Sequence, residues 1–281
     1  PLPAAPASGD RLVGRRAEWS QLQDAWRAAA GGGPHFVLVA GDAGIGKTRL
    51  VDELLYWARR MGYATAQARS YAAEGDLAYS PVVDLLRSPP FQAALPGLAP
   101  IWLAELARLL PELAAQHPPP SSALSSRLRR LHLFDAMARA VAAVRQPLLL
   151  VLDDLQWCDR ETLQWLHYLL RSDGSAQVSP QLLIAGTARL SELDERHPLA
   201  AMLLELRIAG RLTTIDLAPL AAPETAELAA LLEARSLAPA VLERVCQASE
   251  GNPLFVVQVL QTLVDEGVLW FGGTRWEWST V

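Results

Sequence analysis

Gly41, Gly44, Gly46, Lys47 and Thr48, in the stretch AGDAGIGKTRL, stand at the spacing G-x-x-x-x-G-K-[ST]. Glycines so placed let a short turn point its N–H groups inward, which makes an anion nest at the positive end of a helix. Lys47 is the only lysine among 25 basic residues; every other one is arginine. In such a nest it reaches the β and γ phosphates of a nucleotide as a compact charge, where the broad fork of an arginine has different geometry. The hydroxyl of Thr48 is the expected ligand of a Mg²⁺ ion riding on those phosphates. Asp42, Ala43 and Ile45 within the turn, and Arg49 just after it, count with the same site.

A second cluster lies about a hundred residues on. In LLLVLDDLQWCD, Asp153 and Asp154 close a continuous apolar run, the place where ligands bind in open α/β sheets. Phosphoryl transfer asks little beyond alignment and charge neutralisation. Asp153 is therefore the candidate for Mg²⁺, directly or through water, and Asp154 for polarising or positioning the attacking water. Asp159, just before Glu161, is the expected N-cap of the following helix.

These groups need elements to hold them. HFVLVA (35–40) is a short, wholly apolar strand, and the glycine turn leads from it into a helix over about 47–61. YATAQARS (63–70) alternates as a second strand. A proline-punctuated helical region follows over 80–145, with its longest helix over about 122–144. PLLLVLDD (147–154) and QLLIAGTAR (181–189) read as strands buried on both faces, with a helix over about 161–171 between them. A helical stretch then leads to RLTTIDL (211–217). Strands alternating with helices predict a doubly wound α/β domain on a parallel sheet, with helices on both faces. From Pro223 to about Glu266 only short helices are expected, and GVLWFGGTRWEWSTV reads as a hairpin around Gly272-Gly273. The first ten residues, PLPAAPASGD, read as a Pro/Ala-rich linker without an initiator Met, as in a piece of a longer protein.

Composition narrows the class of function. A hydrophobic share of 51% and a charged share of 20% suit a globular chain with a sizeable core. A net charge of −5 argues against a surface devoted to nucleic acid. Two cysteines, Cys158 and Cys246, lack metal-ligand spacing and disulfide density, which fits a reducing cytoplasm. No apolar run approaches the ~20 residues of a membrane span.

Taken in order, GDAGIGKTRL, LLLVLDDLQWCD, LLIAGTAR and ASEGNPLFVVQVL resemble the signal-transduction ATPases with numerous domains, the STAND class of P-loop ATPases. Within that class they are most similar to the ATPase core of large bacterial LuxR-type and antibiotic-regulatory-type transcriptional regulators, over about residues 10–270. The resemblance implies an AAA-like P-loop NTPase domain over 11–219, a helical lid domain over 220–266, and the truncated start of a winged-helix domain over 267–281. It implies that Arg189, ending GTAR, senses the γ-phosphate and joins Lys47 and Asp154 in catalysis. It implies that Pro253 in GNPLF packs near the adenine. Val13, Gly14 and Arg15 in LVGRRAEW match the segment that flanks the base; Arg16 stands where relatives carry an acidic residue. The expected function is a slowly hydrolysing, Mg-dependent switch that binds ATP or ADP, self-associates according to the nucleotide, and reaches DNA through a separate domain. A steadily cycling ATPase and a non-catalytic scaffold holding nucleotide as a structural cofactor are the alternatives.

Overall fold

The structure, a computed structural model, describes residues 12–74, 77–120, 125–171, 181–194, 196–232, 239–266, 269–271 and 276–278. In chain order it runs α1 (Arg16–Gly32), β1 (His35–Ala40), α2 (Lys47–Arg60), β2 (Ala64–Arg69), α3 (Ser80–Leu86), α4 (Pro89–Ala94), α5 (Pro100–Leu106), α6 (Ser126–Ala143), β3 (Leu148–Asp153) and α7 (Arg160–Arg171). There follow β4 (Leu182–Ala188), α8 (Pro198–Ile208), β5 (Leu212–Asp216), α9 (Ala222–Leu232), α10 (Pro239–Ser249), α11 (Pro253–Asp265), β6 (Leu269–Phe271) and β7 (Trp276–Trp278). The alternation read from the sequence is therefore present.

Compactness groups the chain differently from linear order. One unit comprises residues 21–40 and 54–215, and the other residues 1–20, 41–53 and 216–281.

The larger unit is built on a five-stranded sheet in the order β2-β3-β4-β1-β5. The pairs β1–β4, β2–β3 and β3–β4 are all parallel, with Ala40 level with Ala188 and Arg69 level with Asp153. The order places β4 between β1 and β3, so the carboxyl ends of these three strands line one edge. Every residue of β1, β3 and β4 is buried, as continuous apolar runs covered on both faces require. The alternating sequence of β2 buries Ala64, Ala66 and Ala68 and turns the positions between them outward. Along α7, Leu163, Leu166 and Leu170 recur at helical spacing and join Trp165 in the core, while Asp159 caps the helix by accepting from Thr162 N at 2.8 Å. The expected role of Asp159 as N-cap is met.

The smaller unit holds a separate apolar cluster. Ala229, Val241, Val245, Val256 and Leu260 bring together one face each of α9, α10 and α11. The strands β6 and β7 pair antiparallel, Trp270 opposite Glu277, so the hairpin read from the alternation forms; its turn lies outside the described residues. The linker over residues 1–10 also lies outside them. Among the described residues no helix is long and apolar enough to cross a membrane.

Candidate functional site

The glycine turn belongs to the smaller unit. Gly41, Gly44 and Gly46 adopt φ of 144°, 76° and 101°, a region L side chains rarely enter, and this lets the turn curl on itself. Gly44 is also a place of close approach: a Cβ there would lie 2.6 Å from Leu254 Cβ. Lys47 is only 6% exposed, and its Nζ donates to the carbonyls of Gly41 at 2.9 Å and Asp42 at 2.8 Å. The ammonium thus lies over the turn, where it can meet phosphate oxygens.

The carbonyls farther along the turn are held by other donors. Asn252 Nδ2 donates to Ala43 O at 3.0 Å, Leu254 N to Gly44 O at 3.3 Å, and Arg15 Nη2 to Ile45 O at 3.2 Å. By contrast, the N–H groups of Ala43, Gly44 and Gly46 donate to no acceptor among the described residues. Gly44 and Gly46 are half-buried, where amides without acceptors are uncommon, and Ala43 is exposed. Three such N–H groups in one turn, beside an ammonium, fit an anion of several oxygens such as a nucleotide's phosphates. Asp42 and Ala43 are exposed, Ile45 is buried, and Thr48 and Arg49 at the start of α2 are half-buried.

Upstream, Gly14 has φ 65°, and a Cβ there would fall 2.5 Å from the carboxyl carbon of Glu224. Val13 beside it is half-buried. The Arg15 guanidinium is buried and makes three hydrogen bonds, with Nη2 on Ala218 O (2.8 Å) as well as Ile45 O, and Nη1 on Glu18 (3.1 Å). Its side chain therefore ties the 12–15 segment to the turn. Pro253 opens α11 at its first position. Its neighbour Asn252 makes the contact with the turn, and sequence alone did not single that residue out.

The paired carboxylates belong to the larger unit. Asp153 and Asp154 are 1% and 5% exposed, so two adjacent carboxylates sit in a site where charge must be compensated. Thr187 in β4 supplies one bridge: its hydroxyl donates to Asp153 Oδ1 at 2.5 Å and accepts from Asp154 N at 2.9 Å. Arg69, at the end of β2, donates to Asp154 Oδ2 from Nη2 at 2.7 Å and from Nε at 3.1 Å. Gln156 Nε2 donates to Asp154 Oδ1 at 3.0 Å. This pairing raises the Arg69 pKa above its ordinary value, with partial burial opposing it. Asp154 itself sits in the left-handed region at φ 60° and ψ 49°, which Asp tolerates better than most residues and which costs about 1–3 kcal/mol.

Arg189 follows β4. Its N–H donates to Gln156 Oε1 at 3.2 Å, and its Nη1 reaches Glu192 at 2.6 Å. Its guanidinium also lies 5.2 Å from the centre of the Trp157 ring. Gln156 therefore links the backbone of the candidate sensor to the Asp154 carboxylate. Arg69, Thr187 and Gln156 went unread in the sequence. A hydroxyl two residues before Arg189 and a polar residue two after Asp154 were the only signals.

Among the described residues no group of three or more His, Cys, Asp and Glu could hold a metal ion. A Mg²⁺ that takes most of its ligands from phosphates and water needs no such group.

Comparison with solved structures shows a shared fold. It aligns with the Walker-type ATPase PABY2304 of Pyrococcus abyssi at a TM-score of 0.59 and 16% identity, covering 95% of this chain and 72% of that one. Against Cdc6p of Pyrobaculum aerophilum the TM-score is 0.54 at 16% identity, covering 94% and 65%. Against the ORC2 protein of Aeropyrum pernix, solved in ADPNP and ADP complexes, it is 0.52 at 15% identity, covering 92% and 64%. The chain thus spans less than two thirds of the latter two proteins, and at these identities the likeness is one of fold. A sequence search of curated proteins finds no match. Residues 11–185, well over half of the chain, match the AAA ATPase domain, and this protein belongs to that family.

Proposed function

We propose that this domain is a nucleotide-gated switch that binds ATP or ADP with Mg²⁺ and hydrolyses ATP slowly. The observation that carries the reading is the turn at 41–48: three acceptor-free amides and an ammonium folded over a positive-φ nest. Lys47 and the amides bind and orient the phosphates, and Thr48 and, from the other unit, Asp153 would hold the metal. Mg²⁺, when bound, supplies charge neutralisation on the phosphate oxygens. Asp154 positions the attacking water, and Arg189 senses the γ-phosphate. The segment around Val13 and Gly14 and the turn at Pro253 flank the base.

Slow hydrolysis is supported by the state of Asp154, whose Oδ2 accepts from Arg69 and whose Oδ1 accepts from Gln156. Both donors compete for the lone pairs that would orient an attacking water. In a longer protein the phosphate state would govern self-association and a separate DNA-binding or effector domain, with 220–266 as the lid and 267–281 opening a winged-helix domain.

The same pairing favours a second reading, a scaffold that holds nucleotide without turnover. Steady-state hydrolysis of MgATP by the wild type and by Asp154→Asn separates the two. The switch predicts slow wild-type turnover that the substitution lowers at least about a hundredfold. Wild-type turnover no faster than that of the variant, with nucleotide retained through purification, establishes the scaffold instead.

A further inference from the structure

We propose that Asn252 is a positioning residue of the phosphate site, acting through the carbonyl of Ala43. The proposal rests on the reading of the 41–48 turn as a phosphate cradle. A peptide unit is planar and trans, so the C=O of one residue and the N–H of the next point in opposite directions. Asn252 Nδ2 holds Ala43 O at 3.0 Å, and the other end of that plane is the Gly44 N–H, one of the three amides without an acceptor. Holding the carbonyl therefore aims the amide.

The orientation of the Asn252 side chain is determined by its second bond. Its Oδ1 accepts from Leu254 N at 3.0 Å as the N-cap of α11, which leaves Nδ2 facing Ala43 O. Without this anchor the plane is easily turned, because Gly44 tolerates either sign of φ. The neighbouring plane is built the same way. Arg15 Nη2 holds Ile45 O at 3.2 Å, and the Gly46 N–H beyond it has no acceptor.

Two consequences follow. A hydrogen bond to a carbonyl polarises the peptide and makes its N–H a stronger donor. Coupling of this kind is reciprocal, so an anion on the Gly44 amide tightens the bond from Asn252 to Ala43. The first turn of α11 thereby reports phosphate occupancy through a neutral side chain, one residue before the proline that the sequence pattern emphasises.

The test substitutes Asn252→Ser, which keeps an oxygen to cap α11 but is too short to reach Ala43. Calorimetry with MgATP and with inorganic tripolyphosphate, thermal melting, and the Gly44 amide resonance are measured together. The proposal expects tripolyphosphate binding weaker by about five- to tenfold, a ligand-free melting temperature within roughly 2 °C of wild type, and a shifted Gly44 amide. Wild-type affinity in Asn252→Ser overturns it while leaving the cradle standing. Failure of the wild type to bind either ligand overturns the cradle and, with it, the proposal. A second readout needs no variant: the Asn252 side-chain NH₂ resonances of the wild type must shift when tripolyphosphate binds, and their staying fixed at saturation overturns the proposal.

Discussion

The guanidinium of Arg69 grips the carboxylate of Asp154 through Nη2 at 2.7 Å and Nε at 3.1 Å, across 85 positions of sequence. Arg69 is 49% exposed on its side chain and Asp154 is buried, so the grip is laid on from the open side of the site. Two charge-assisted donors on one oxygen fix the carboxylate and fill the lone pairs that would otherwise orient a water.

Removal of the guanidinium should therefore release the carboxylate. Arg69→Ala is expected to raise the steady-state rate of ATP hydrolysis several-fold, and to have no effect in an Asp154→Asn background, since both changes act on one group. A lower rate in the single variant would mean that Arg69 orients Asp154 for the reaction.

Asp154 can be replaced without breaking the turn that bears it. Asn shares with Asp the tolerance of left-handed backbone, so Asp154→Asn should melt close to wild type while losing turnover. A melting temperature that falls far below wild type would locate the residue's role in folding.

Thr187 makes a sharper claim on stability. Its hydroxyl serves Asp153 Oδ1 and Asp154 N at once in a fully buried position. Thr187→Val keeps the shape and leaves both groups buried without that partner, a cost of about 2 kcal/mol. Thermal melting should fall by ~4–8 °C; an unchanged melt would remove the bridge from the account.

Alkaline pH should expose the buried thiol. Burial, reinforced by Asp159, pushes the Cys158 thiol up to about 12, with the neighbouring Ser70 opposing. The unfolded chain loses this proton near 9 and the folded chain only near 12, so the unfolded state binds fewer protons in between and stability falls with rising pH. Chemical denaturation between pH 9 and pH 12 should show a decline that is shallower in Cys158→Ala. At pH 8 the native thiol should resist alkylation. Parallel declines in the two proteins would refute the assignment.

The parts legible in the sequence were those whose cause is local. Apolar runs without alternation gave β1, β3 and β4, alternation gave β2, and the glycine spacing gave the turn, because period and backbone freedom are properties of neighbouring residues. The partners that complete the site are long-range. Arg69 meets Asp154 because the parallel register sets the end of β2 level with the end of β3. Thr187 meets both aspartates because β4, thirty-odd residues later, lies beside β3. Asn252 reaches Ala43 across 209 positions. None of these residues stands in a spacing that announces its partner, and strand order and helix docking create the pairs. The grouping of residues 41–53 with 216–281 was hidden for the same reason.

Lys47 and the amides around it must bind a triphosphate for the domain to act as a nucleotide switch. Calorimetric titration of MgATP into wild type and into Lys47→Ala measures this directly. Loss of a charge-assisted contact predicts binding weaker by about ten- to a hundredfold in the variant, with the melting of the ligand-free protein little changed. Equal affinity in the two proteins would contradict the phosphate site.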